Sequence, residues 1–135
     1  MERTLVLIKP DGVERRLVGD IISFYEKKGV NITALKMLRA TKNIAEKHYE
    51  EHKGKSYFND LINYIIEGKL CALILEGDNV IEIVRRMNGD KDPLKADMGS
   101  LRGKFACEKT RNLVHASDSI ENANREINIW FPELI

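Results

Sequence analysis

The sequence predicts an α+β fold of the split-βαβ, ferredoxin-like kind: a βαββαβ sandwich whose antiparallel sheet has helices packed on one face. Three observations predict it. Apolar residues switch between a period near two and a helical period in the order β-α-β-α-α-β-α-loop-β-α, whose minimal form is βαββαβ. At 135 residues the chain is long enough to bury one core. Its 43% hydrophobic and 32% charged residues are those of an ordinary globular protein. No internal repeat, low-complexity tract or linker-like segment interrupts it, so residues 1–135 are read as a single domain.

The elements follow in order. Residues 4–9 are a short apolar run closed by Pro10, Asp11 and Gly12, a buried strand entering a turn. Residues 17–28 set Val18, Ile21, Ile22 and Tyr25 on one helical face, and Gly29 ends the helix. Over residues 30–40, Val30, Ile32, Ala34, Lys36, Leu38 and Ala40 fall on one side at period two and predict a strand. Residues 44–52 and 57–67 read as helices, the second through Phe58, Leu61, Ile62 and Ile65. Residues 70–76 are a third strand, and residues 79–87 a helix with Val80, Ile83, Val84 and Met87 inward, stopped near Gly89. Residues 90–109 have weak periodicity with Pro93, Gly99 and Gly103, which predicts a long ordered loop. Residues 112–115 form a short last strand. A helix follows over residues 119–127, with Asp118 at its N-cap and Glu121 three residues on.

Charge and cysteines narrow the function. The net charge of +1 exerts no global pull on nucleic acid or anionic lipid. Eight basic and four acidic residues between 85 and 111 make that stretch +4 and leave −3 elsewhere, a local surface suited to a small anion. Two cysteines make neither a disulfide framework nor a CxxC metal pair, and Cys71, in an apolar run, reads as core. The first apolar stretch, Leu5 to Ile8, is too short for a signal peptide or membrane span, so a cytoplasmic setting and no membrane are expected.

Several motifs fail. Gly54-Lys55-Ser56 resembles the end of a phosphate-binding P-loop, but Tyr49 occupies the position that needs the first glycine. His48 and His52 are four apart and could share a helix face toward a metal; with no third ligand nearby they read as two surface histidines. No metal site is therefore expected on the chain. No GxGxxG occurs, and aromatics at 7% form no basic-aromatic array for nucleic acid.

One constellation holds. His115 ends a strand, precedes small polar residues and a capped helix, and follows the cationic stretch. Helix N-termini and cationic side chains are what a phosphate requires, and a neutral imidazole keeps a lone pair for attack at phosphorus. These residues alone point to a phosphate site with a histidine.

The run Asn112-Leu113-Val114-His115-Ala116-Ser117-Asp118-Ser119 resembles the active-site motif of nucleoside diphosphate kinases, N-x-x-H-(G/A)-S-D-(S/A). The likeness covers nearly the whole chain, through residues 3–12, 19–22, His48-Tyr49, residues 99–103 and Glu126 to Trp130-Phe131. It implies an enzyme that moves the γ-phosphoryl of a nucleoside triphosphate to a nucleoside diphosphate by a ping-pong relay through phosphohistidine on His115. Ser117 and Glu126 would orient the imidazole, and Lys9 and Tyr49 would lie beside the transferring group. Arg85 and Arg102 would bind the β- and γ-phosphates, while Lys9 and Asn112 would also reach the ribose hydroxyls. Tyr57, at a position that is usually Phe, would stack on the base with Leu61 beside it, which suits broad base acceptance. Mg²⁺ would arrive on the nucleotide phosphates, within water-mediated reach of Asp118. Homo-oligomers are implied, hexamers ahead of tetramers.

The sequence also departs from the family pattern. Lys91 stands where Thr is usual and offers phosphate a flexible charge in place of a hydroxyl; Met98 replaces a usual Pro, and Lys109 a usually apolar residue. Two competing readings are a non-catalytic nucleotide-sensing or scaffold protein on the same fold, and a nucleic-acid module using residues 85–111.

Overall fold

The computed structural model describes residues 1–134. Among them four strands, β1 (Glu2–Ile8), β2 (Asn31–Arg39), β3 (Lys69–Gly77) and β4 (Val114–Ala116), form one sheet in the order β2-β3-β1-β4. Every neighbouring pair is antiparallel. The helices are α1 (Pro10–Glu14), α2 (Val18–Lys28), α3 (Lys42–His48), α4 (Phe58–Ile66), α5 (Val80–Asn88), α6 (Leu101–Phe105) and α7 (Ile120–Trp130). The ferredoxin-like α+β architecture is the one the sequence predicts.

Helices cover both faces of the sheet, where the sequence reading expected one. In β1, Val6 and Ile8 join a core with Leu73, Leu75, Ile21, Val84 and Leu101, so α2, α5 and α6 lie on that side. Leu5 and Leu7 point oppositely, into a core with Ala72, Ile74, Ala45, Ile65, Ile127 and Trp130 from α3, α4 and α7. A strand buried on both faces reads as an unbroken apolar run, as β1 and β3 do.

β2 corrects a second expectation. Its six alternating residues do not share a face, because Thr33 is an extra residue between the pairs Ile32↔Leu75 and Ala34↔Ile74. A bulge of one residue reverses the side on which later side chains project. Val30 and Ile32 therefore pack with the α2 core, and Ala34 and Leu38 with the α3 core. Leu35 and Met37 are left about half exposed on this edge strand.

Other differences are local. Pro10, Asp11 and Gly12 open α1 rather than a simple turn; proline fits an early helical position because its missing N–H has no helical partner there. The predicted helix over residues 44–52 starts at Lys42, after a Thr41 cap, and stops at His48. A 3₁₀ turn at Glu50–His52 follows, so His48 and His52 do not share a helix. The predicted loop over residues 90–109 contains α6, capped by the Ser100 hydroxyl, which accepts from Gly103 N–H. The N-cap of α7 is Ser119, accepting from Asn122 N–H at 3.0 Å, and Asp118 instead accepts from the Asn122 side chain.

Candidate active site

β4 brings His115 opposite Leu7 of β1, and a backbone kink delivers it there. Leu113, buried, has φ +78, a left-handed conformation that costs a leucine about 1–3 kcal/mol. Three bonds hold the kink. Lys9 N–H donates to the Leu113 carbonyl at 2.7 Å, Leu113 N–H donates to Asp11 Oδ2 at 3.1 Å, and the Tyr64 hydroxyl donates to Asp11 Oδ1. Asp11 and Tyr64 escaped the sequence reading, since Asp11 looked like a turn residue.

His115 is partly exposed, and its Nε2 lies 3.0 Å from Glu126 Oε1. Ser117 Oγ donates to the same oxygen at 2.7 Å and accepts from Leu5 N–H at 3.1 Å, so it orients the ring through Glu126. Glu126 comes from α7 and is buried. A carboxylate oxygen accepts, so Nε2 carries the proton and Nδ1 keeps its lone pair. Among the described residues Nδ1 has no hydrogen-bond partner.

The ring opens into a cavity of about 630 Å³. Lys9, Tyr49, Tyr57, Leu61, Arg85, Lys91, Arg102, Asn112, His115 and Glu126 all line it; of the predicted site residues, Ser117 alone sits behind the wall. A larger cavity of about 770 Å³ between α2, α5 and α6 holds none of these groups.

Lys9 Nζ donates to Asn112 Oδ1 at 2.9 Å, and burial, then the nearby Arg102 charge, lower its pKa to about 8. Asn112 Nδ2 donates to the carbonyls of Lys109 (2.9 Å) and Lys91 (3.3 Å), which fixes the amide against the loop. Arg102 is buried and spends three donors on backbone: Gly89 O at 2.7 Å, Val114 O at 2.6 Å and Asn112 O at 3.3 Å. It braces the loop as much as it faces the cavity. Arg85 and Lys91 are exposed and unpaired with any acid among the described residues. Tyr57 is 44% exposed, its hydroxyl 2.9 Å from His52 Nδ1, and Leu61 is half-buried. Tyr49 is buried, and burial raises its pKa, which keeps the phenol protonated.

His48 contradicts the surface reading given to it. It is 3% exposed, and its Nδ1 accepts from Trp130 Nε1–H at 3.0 Å. Its ring stands nearly perpendicular to that of His115, centroids 4.5 Å apart. His48, His115 and Glu126 have ligand atoms within 4.8 Å of one another, a set that could hold a metal. The Trp130 bond opposes this: it leaves the proton of neutral His48 on Nε2, whereas a metal needs that nitrogen bare.

Known proteins resemble this chain over nearly its whole length. The family model for nucleoside diphosphate kinase matches residues 2–134. Proteins named nucleoside diphosphate kinase from Saccharolobus islandicus are 51% identical over 131 residues, covering 97% of this chain and 95% of theirs. One from Sulfolobus acidocaldarius is 52% identical over 134 residues, covering 99% and 92%. Among solved structures, a nucleoside diphosphate kinase family protein from Babesia bovis superposes with a TM-score of 0.96 at 42% identity, covering 98% of this chain and 90% of that one. The apo nucleoside diphosphate kinase of Encephalitozoon cuniculi gives 0.94 at 33%, covering 97% and 89%. A match over nearly every residue places this chain in the nucleoside diphosphate kinase family.

Proposed function

We propose that the chain catalyses ping-pong transfer of the γ-phosphoryl group between nucleoside tri- and diphosphates through a phosphohistidine at His115. The observation that carries this reading is that Nε2 of His115 is held by Glu126, which leaves Nδ1 unpaired among the described residues, on a ring that lines a cavity with Lys9, Arg85, Lys91, Arg102 and Lys109. In the first half-reaction the Nδ1 lone pair forms a P–N bond as the γ-phosphorus–oxygen bond breaks, and the electron pair leaves with the diphosphate. The Glu126 carboxylate stabilises the Nε2–H as the ring gains positive character, the role of an orienting acid beside a nucleophile. The second half-reaction runs the same steps backward with a new diphosphate.

Lys9 and Arg85, with the free N–H groups of Arg102, meet the phosphate charge, and Lys91 adds a mobile cation at the rim. Tyr49 offers a phenol O–H to the transferring group, and Lys9 and Asn112 take the ribose hydroxyls. Tyr57 and Leu61 take the base by its face, so base identity is weakly read. Of the carboxylates lining the cavity, Glu51, Asp90, Asp118 and Glu126, Asp118 is tied to Asn122, and Glu126 to His115 and Ser117. That arrangement suits Mg²⁺ brought in on the nucleotide, where it neutralises phosphate charge.

We further read residues 1–135 as one catalytic domain, since both cores share one sheet, and as a homo-oligomer, hexamer ahead of tetramer. Half-exposed Leu35 and Met37 on the edge strand, and Leu94 and Met98 on the loop, support association. No described helix is long and apolar enough to cross a membrane. Unpaired Cys71 and Cys107 fit a reducing cytoplasm.

Incubation with γ-labelled ATP is expected to give an acid-labile, base-stable phosphoprotein that passes its label to a second diphosphate; His115→Ala is expected to do neither. A wild-type protein that binds nucleotide but takes up no label would instead support the scaffold reading.

A further inference from the structure

The proposed site leaves a buried titratable group unused. His48 lines the cavity with His115 but has no part in the roles above. Its ring makes one hydrogen bond among the described residues, from the donor-only indole of Trp130 to Nδ1. Trp130 is itself 1% exposed, so water does not compete for that bond. With Nδ1 occupied as an acceptor, the neutral ring must carry its hydrogen on Nε2. Among the described residues Nε2 has no hydrogen-bond partner, and it is not one of the sealed, unpaired polar atoms of the interior, so this N–H is not closed off from the cavity that His48 lines. The His48 and His115 rings stand 4.5 Å apart between centroids, with a ring nitrogen of each within 4.8 Å of the other, so a phosphoryl group carried by His115 lies beside His48.

We propose that His48 is a further phosphoryl-binding residue: its Nε2–H, fixed in that tautomer by Trp130, donates to an oxygen of the phosphoryl group carried by His115. This rests on the phosphohistidine reading above. Trp130 is then a positioning residue that acts through His48. The groups facing His48 are His115, Arg125, Lys9 and His52, with Tyr49 stacked edge-on at 4.7 Å and Glu126 beside His115. Burial and the positive neighbours among these hold the His48 pKa well below the ordinary histidine value. His48 therefore stays a neutral donor through the physiological range, and its contribution does not switch with pH. A neutral donor aimed at an oxyanion from a desolvated wall is the arrangement that stabilises developing phosphoryl charge without reorganisation.

The test is single-turnover transfer from phosphorylated protein to a nucleoside diphosphate, for wild type, His48→Leu, His48→Gln and Trp130→Phe. Nucleotide affinity and thermal unfolding are measured alongside, and the His48 tautomer is read from imidazole ¹⁵N resonances. His48→Leu is expected to slow transfer roughly 10- to 100-fold, the scale of one hydrogen bond to a charged group, with nucleotide affinity little changed. His48→Gln, which keeps an N–H in reach, should recover most of that loss. Trp130→Phe should convert a single Nε2–H tautomer into a mixture. Transfer at the wild-type rate in His48→Leu, equal losses in the Leu and Gln variants, or a wild-type spectrum with protonated Nδ1 each overturn the proposal. Should the Leu variant fail to fold, the Gln variant and the wild-type spectrum still decide. A wild type that never becomes labelled removes the phosphohistidine reading itself, an outcome distinct from all of these.

Discussion

At the scale of single residues, two cations in the same cavity differ in what burial does to them. Lys91 is exposed, whereas Lys9 is pressed between Asn112, the Tyr64 ring and the charge of Arg102, and its pKa drops to about 8. Lys9 is cationic below that pH and neutral above it. The kcat/KM for nucleotide should therefore fall as pH rises through about 8, because that ratio reports the free protein. Bound phosphate favours the charged form, so kcat should hold to higher pH; a pH profile of kcat/KM that stays flat to pH 9 would remove Lys9 from phosphate binding. Lys91→Thr should change KM and leave kcat near wild type, the signature of uniform binding. His115 was legible in the sequence because a strand end, small residues and a cap surround it. His48 was not, because its burial depends on Trp130, 82 positions away, and local periodicity carries no such information.

At the scale of elements, junctions matter more than interiors. The start of α7 lies one residue later than the sequence suggested: Ser119 and Asp118 are both good caps, and only geometry chooses between them. Ser119→Ala should cost about 1 kcal/mol, the usual worth of a lost N-cap, and Asp118→Ala clearly less; chemical unfolding of the two variants checks this, and the reverse order would restore Asp118 as the cap. The β1–α1 junction is the other case. Asp11 reaches across to Leu113 and Tyr64, so a residue that reads as part of a turn supports the strained backbone in front of His115. Helix α6 was hidden because it is five residues long and contains Gly103, where a Cβ would overlap the Asp97 carbonyl. Short helices held by a cap and a close backbone approach leave almost no periodic signal.

For the whole molecule, element order and strand pattern were enough to predict the ferredoxin-like sheet. They were not enough to predict that both faces are covered, although the unbroken apolar runs of β1 and β3 are the mark of such strands. The Thr33 bulge was equally hidden, since an extra residue in a strand leaves the sequence alternation intact while reversing the faces. Its consequence is a half-exposed Leu35–Met37 pair on an unpaired edge, which managed edges rarely leave bare. Replacing both by Ser should shift the assembly toward smaller species in light scattering while far-UV circular dichroism is preserved; an unchanged mass would place the contact elsewhere. The proposed chemistry turns on one atom of His115. The most direct measurement is ³¹P and ¹⁵N NMR of the isolated phosphoprotein after exposure to a nucleoside triphosphate. A phosphorus bonded to Nδ1 of His115, with Nε2 still protonated, is the predicted result. A phosphorus on Nε2, or on any residue other than His115, would contradict the account.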